Sequence, residues 1–209
     1  MSTYETDEEK VEAIKKWWKE NGFSVIGGLA IGLGAIFGWR AWVDYRDAVG
    51  QQASAAFEQL LASANASDPE AAVKQSELLA EEFSSTAYAT LATLVRARVE
   101  LEAKNLAGAR TALEQAIAKS PDPALTRIAA LRLIRVLIAE GETKTAASLA
   151  AKHDDSASFA GAFAAVRGDI ARAEGRLSDA RSAYEQAIAA GAPNPEQLRL
   201  KLDNLPPAG

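Results

Sequence analysis

The side chains best grouped for chemistry in this 209-residue chain are His153, Asp154 and Asp155, which are consecutive. His153 is the only histidine and cysteine is absent, so sites needing two imidazoles, a thiolate or a disulfide are excluded. An imidazole beside two carboxylates has the residue types of an acid–base pair or a metal site. Adjacent residues in a turn point apart, however, so a helix cap is the expected role of this cluster. The other Asp and Glu residues are scattered over positions expected to face solvent. Gly27-Gly28 and the glycines after them follow no strand and match no phosphate-binding fingerprint. The chain is therefore expected to have no enzymatic site, no metal and no cofactor. Nucleic acid is not expected as a partner either: the net charge is −5, the pI is near 5.1, and no clustered basic face is foreseen.

With catalysis set aside, the elements themselves carry the argument. Hydrophobic residues make up 48% of the chain, many of them alanine, and an Ala-, Leu-, Glu- and Arg-rich composition favours helix throughout. The stretch Asn21–Trp39 holds 19 residues without a charge. At ~1.5 Å per residue it extends about 28 Å, close to the hydrocarbon thickness of a bilayer. Trp17 and Trp18 precede it and Trp39 and Trp42 close it, so every tryptophan stands at a membrane–water interface. A cleaved signal peptide would need a shorter apolar core and a basic start, whereas this leader carries six acids. Lys10, Lys15, Lys16 and Lys19 flank the span on one side against Arg40 and Arg46 on the other, which predicts a cytoplasmic N-terminus and an exported C-terminal domain.

Within the span, Gly28 and Gly32, and Gly34 and Gly38, are spaced four apart, which lets a second helix approach closely. A glycine-rich span that is merely permissive is the other reading. Ahead of it, Val11, Ile14 and Trp18 share one face of a helix starting near Asp7. That face suits an interfacial turn or a docking tail.

Beyond Tyr45 the chain repeats itself. Leu106–Ala118 (LAGARTALEQAIA) and Leu177–Ala189 (LSDARSAYEQAIA) match at nine of thirteen positions, 71 residues apart. Two units of 34–37 residues fit that offset and place Ala72, Ala109, Ala146 and Ala180 in one role. Repeats of this length, with small residues where paired helices touch, are the tetratricopeptide signature. The expected helix pairs are 49–66 with 70–83, 87–103 with 106–119, 124–140 with 143–152, and 157–174 with 177–190, with a capping helix near 196–205. The fold class is thus all-α: one N-terminal transmembrane helix, then a tetratricopeptide-like solenoid of about four helix pairs. The first helices should line a groove through Leu94, Arg98, Leu131, Arg135, Ala165 and Arg172, a mixture suited to a peptide of some acidic character. Ordinary inter-helix packing is the alternative for these positions.

The chain resembles the YfgM family, the ancillary subunit of the SecYEG translocon. The resemblance is carried by Tyr4-Glu5, Val11-Glu12-Ala13-Ile14-Lys15, Glu20-Asn21-Gly22 and Gly38-Trp39-Arg40, with the repeats following in the same order. It implies a protein of the bacterial inner membrane, divided into a cytoplasmic tail (1–20), a transmembrane helix (21–43), a juxtamembrane segment (44–48), a periplasmic repeat domain (49–205) and a disordered C-terminus (206–209). The implied partners are the SecYEG translocon, a PpiD-like periplasmic chaperone and newly exported clients, with the chain as chaperone or adaptor. A cell-envelope scaffold for other membrane or division proteins is the alternative function.

Overall fold

The computed structural model describes residues 7–66 and 68–206, and among these the chain forms only helices. Tyr4-Glu5, Ser67 and all but Pro206 of the segment 206–209 lie outside the described residues. The chain separates into two units, 1–51 and 52–209.

In the first unit the described residues belong to α1 (Asp7–Asn65), a single helix that continues into the second unit. This helix takes in the described part of the expected tail, from Asp7, together with the expected span, the juxtamembrane segment and the first repeat helix as far as Asn65. Its apolar side chains are uncovered: Phe23 is 92% exposed and Ile31 76%. Among the described residues this helix alone is long and apolar enough to cross a membrane. Water does not favour so much bare apolar surface, and hydrocarbon does.

The second unit begins with the C-terminal turns of α1, followed by α2 (Pro69–Glu82), α3 (Ala87–Glu102), α4 (Leu106–Lys119), α5 (Pro123–Ala139), α6 (Thr143–His153), a 3₁₀ turn (Ala157–Phe159), α7 (Ala160–Ala173), α8 (Leu177–Ala189) and α9 (Pro195–Asp203). These ends fall within a few residues of the expected pairs. Local chemistry sets the starts. Asp68 accepts from the Ala71 amide at 3.1 Å and Asp122 from the Ala124 amide at 2.7 Å, each just before a proline at the first helical turn. The turns inside three repeats need one residue with positive φ. Gly141 and Gly175 supply it at +80° and +76°, and Lys104 holds the equivalent place at +60°.

The four marker alanines, Ala72, Ala109, Ala146 and Ala180, are all fully buried. A second regularity accompanies them. In each repeat, two buried positions sixteen residues apart on the paired helices complement one another in size: Leu60 with Ser76, Ala97 with Leu113, Ile134 with Ala150, and Gly168 with Tyr184. The last pair is in direct contact, since a Cβ on Gly168 would fall 2.5 Å from the Tyr184 ring. Interiors this dense tolerate a change of size on one side only when the other gives way.

The core runs along the solenoid in three clusters: α1 to α3 around Leu60 and Leu79, α3 to α7 around Leu113, Ile134 and Phe163, and α7 to α9 around Tyr184 and Leu198. The terminal helix is pinned by charge as well as by apolar contact. Lys201 lies 2.5 Å from Asp169, which also accepts from the Tyr184 hydroxyl at 2.8 Å. Burial and that hydrogen bond push the Tyr184 phenol far above its ordinary range.

Candidate protein-binding surface

The residues predicted to line the groove separate into two groups. Leu94 and Leu131 are only 4% and 7% exposed and belong to the central core cluster, and Ala165 is buried in the last one. These three are packing residues, which corrects their assignment to the groove. The helices that carry them are covered by neighbours on more than one side, so an apolar position there is interior. Arg98, Arg135 and Arg172 are exposed.

Arg132, one residue past Leu131 and absent from the sequence-based set, is exposed too. Its guanidinium has its pKa lowered, first by burial and then by the charges of Arg135 and Arg98. Arg132 and Arg135 are one helical turn apart on α5, and α3, which carries Arg98, touches α5, so the three exposed arginines share one region of the surface. This basic cluster was not foreseen, because its members are 34 or more residues apart across the two helices. The one acid recorded against it is Glu102, 3.5 Å from Arg98 and itself well exposed. Arg172 lies instead near Tyr184, whose phenol it influences.

Most other arginines in the repeat domain bridge elements. Arg110 on α4 reaches Glu114 at 3.0 Å and, across the next turn, Glu140 at 3.0 Å and Glu142 at 2.7 Å. Its repeat equivalent, Arg181, donates to the Pro206 carbonyl at 3.4 Å. Arg96 pairs with Glu77 at 2.9 Å, joining α3 to α2.

The two carboxylates of the His153 cluster turn to different partners. Asp154 occupies the C-cap position of α6 and its carboxylate pairs with Arg167, while Asp155 turns to Arg127 at 2.8 Å. The two carboxylates are thus held by different arginines rather than by a helix N-terminus. The His153 imidazole is held below its ordinary pKa, chiefly by burial and then by Lys152. Among the described residues no three His, Asp or Glu side chains converge as a metal site would require. A cleft of about 330 Å³ lies between α6 and α8 over α7, lined by Ala147, Ala150, Ile170 and Ala183 and rimmed by Arg167 and Arg176.

On the apolar part of α1, Asn21 donates its amide to the Trp17 carbonyl at 3.0 Å, which satisfies a polar group at the edge of the span. At the other edge the Trp39 and Trp42 rings meet at a tilt of 45°, 5.1 Å apart, with Arg46 4.9 Å over the Trp42 ring. A Cβ placed on Gly28, Gly32, Gly34 or Gly38 would meet nothing within 4 Å. At ~100° per residue the two glycine pairs lie on separate faces about 120° apart.

The model of the tetratricopeptide repeat-like domain family matches residues 15–207. Three curated relatives, each called an ancillary SecYEG translocon subunit, align over nearly their whole length. Those from Haemophilus influenzae and Aggregatibacter actinomycetemcomitans are each 34% identical over 200 residues, 95% of this chain and 97% of theirs. That from Escherichia coli K12 is 28% identical over 211 residues, 98% of this chain and 99% of its own. The chain belongs to the ancillary SecYEG translocon subunit family, YfgM. The alignment takes in the apolar helix as well as the repeats, so the likeness to the YfgM relatives covers both parts of the chain.

Proposed function

We propose that this YfgM-family chain is a single-pass inner-membrane adaptor or chaperone that works beside the SecYEG translocon. Residues 21–43 form the span, the N-terminus is cytoplasmic, and residues 49–205 are periplasmic. There the repeat domain binds a PpiD-like chaperone and newly exported clients. Its activity is binding, not catalysis. The observation that carries this reading is the joining of one apolar, tryptophan-edged helix to a repeat solenoid in a chain that aligns end to end with translocon subunits. Four lysines ahead of the span against two arginines after it support the orientation.

Two measurements test it. Protease added to spheroplasts is expected to digest the repeat domain along with periplasmic markers; survival of the domain would invert the topology. Photo-cross-linkers placed along the solenoid in native membranes are expected to capture translocon subunits and secretory precursors, and capture of neither would overturn the proposal.

A further inference from the structure

Arg98 on α3 and Arg132 and Arg135 on α5 differ from most arginines of the repeat domain, including Arg96 and Arg127 on the same two helices. Arg96, Arg110, Arg127, Arg167, Arg176 and Arg199 all hold acids. Among the described residues Arg132 and Arg135 have no acidic partner, and Arg98 has only the exposed Glu102. This is notable in a chain where 28 acids outnumber 23 lysines and arginines. Three like charges gathered on one surface with a single exposed counter-charge, Glu102, cost free energy, and an incoming anion would relieve that cost.

The surroundings narrow the kind of anion. On α3, half-buried Leu91 and Val95 precede Arg98 by seven and three residues, and Leu101, 39% exposed, follows it by three. On α5, half-buried Ile128 precedes Arg132 by four and Ile138 follows Arg135 by three, each packed on the core with part of its surface left in contact with solvent. Helical spacing puts these apolar side chains on the same stripes as the guanidiniums. A phosphate polymer has no use for such apolar neighbours, whereas a polypeptide with acids between apolar residues matches both parts.

We propose that Arg98, Arg132 and Arg135 form the docking surface for a protein segment in which Asp or Glu alternates with apolar residues. This rests on the reading of the solenoid as a protein-binding module and specifies the chemistry of what it binds. The lowered pKa of Arg132 agrees with a guanidinium that is partly withdrawn from water and faced only by like charge.

The test uses the full-length protein in detergent and fluorescence anisotropy with a labelled Leu/Glu peptide of about 15 residues. Comparison probes are the same peptide with Lys for Glu, and soluble short-chain phosphatidylglycerol. The acidic peptide is expected to bind, to weaken with salt, and to lose about tenfold in affinity in the double variant R132E/R135E. The Lys peptide should in turn gain affinity for that variant, a reversal that misfolding cannot produce. The milder R132Q/R135Q variant, checked for an unchanged melting curve, should also bind the acidic peptide less tightly. Unchanged acidic-peptide affinity in both variants, equal binding of the Lys peptide to the wild type, or binding of the lipid alone would each overturn the proposal. Translocon cross-linking of wild type and variant is scored in parallel. Wild-type capture together with a failed peptide test sinks only the patch, whereas loss of wild-type capture sinks the functional reading.

Discussion

At the scale of single residues, two positions make quantitative demands. Gly168 lies under the fully buried Tyr184 ring, and that ring is fixed at its far end by Asp169. Gly168→Ala should therefore destabilise the domain by about 1–3 kcal/mol through overpacking, even though alanine is the better helix former. Chemical denaturation of the two proteins checks this; an unchanged or raised midpoint would mean that the ring moves freely. His153 sets a pH dependence. Its folded pKa lies below the unfolded value near 6.5, because burial and Lys152, with Arg127 nearby, outweigh the attraction of Asp155. The unfolded chain then binds more protons just below that value, so this contribution is fully present above about pH 6.5 and is lost as pH falls through the window beneath it. His153→Gln should flatten the melting temperature over that range while leaving the later acid loss. That later loss comes from carboxylates such as Asp155 and Glu142, held low by Arg127 and Arg110.

At the scale of elements, the size-matched helix pairs can be tested directly. Ile134→Ala should cost about 2–5 kcal/mol by opening a cavity, and Ala150→Leu should cost about 1–3 kcal/mol by overfilling. If the two positions share one volume, the double variant will be more stable than the sum of the single changes allows, with a coupling of about 1 kcal/mol or more in a double-mutant cycle. Strict additivity would mean that the two sites are independent. The pairs also explain what could be read from the chain alone. The alanine markers and the helix ends were legible, because small residues recur at one spacing and prolines, glycines and capping acids punctuate it. The groove was only half legible. α5 reads PALTRIAALRLIRVLIA, apolar on nearly all sides, so periodicity does not separate its solvent stripe from its buried ones. The alanine register chose Leu131, while the exposed stripe passes through Arg132 and Arg135, with half-buried Ile128 beside it. Nothing local marks Arg98 as a neighbour of Arg132, because that proximity is made by α3 lying beside α5.

At the scale of the whole molecule, the apolar run in α1 governs partition between water and bilayer. Ile31 sits near its middle and is 76% exposed. Ile31→Arg should cost about 2.5–3.5 kcal/mol of insertion free energy and move part of the protein into the alkaline-carbonate supernatant, where the wild type should be absent. Equal retention of both in the pellet would assign membrane attachment to something other than this helix. The solenoid invites a different deduction. Because a large residue is matched by a small one within each helix pair, as tyrosine is by glycine in the last, the pair is the smallest unit that carries its own size match. Genetic crossovers between related chains should survive at the joints after Phe83, Ser120 or Asp154 and fail inside a hairpin, where a bulky side chain from one parent would meet a bulky one, or a void, from the other.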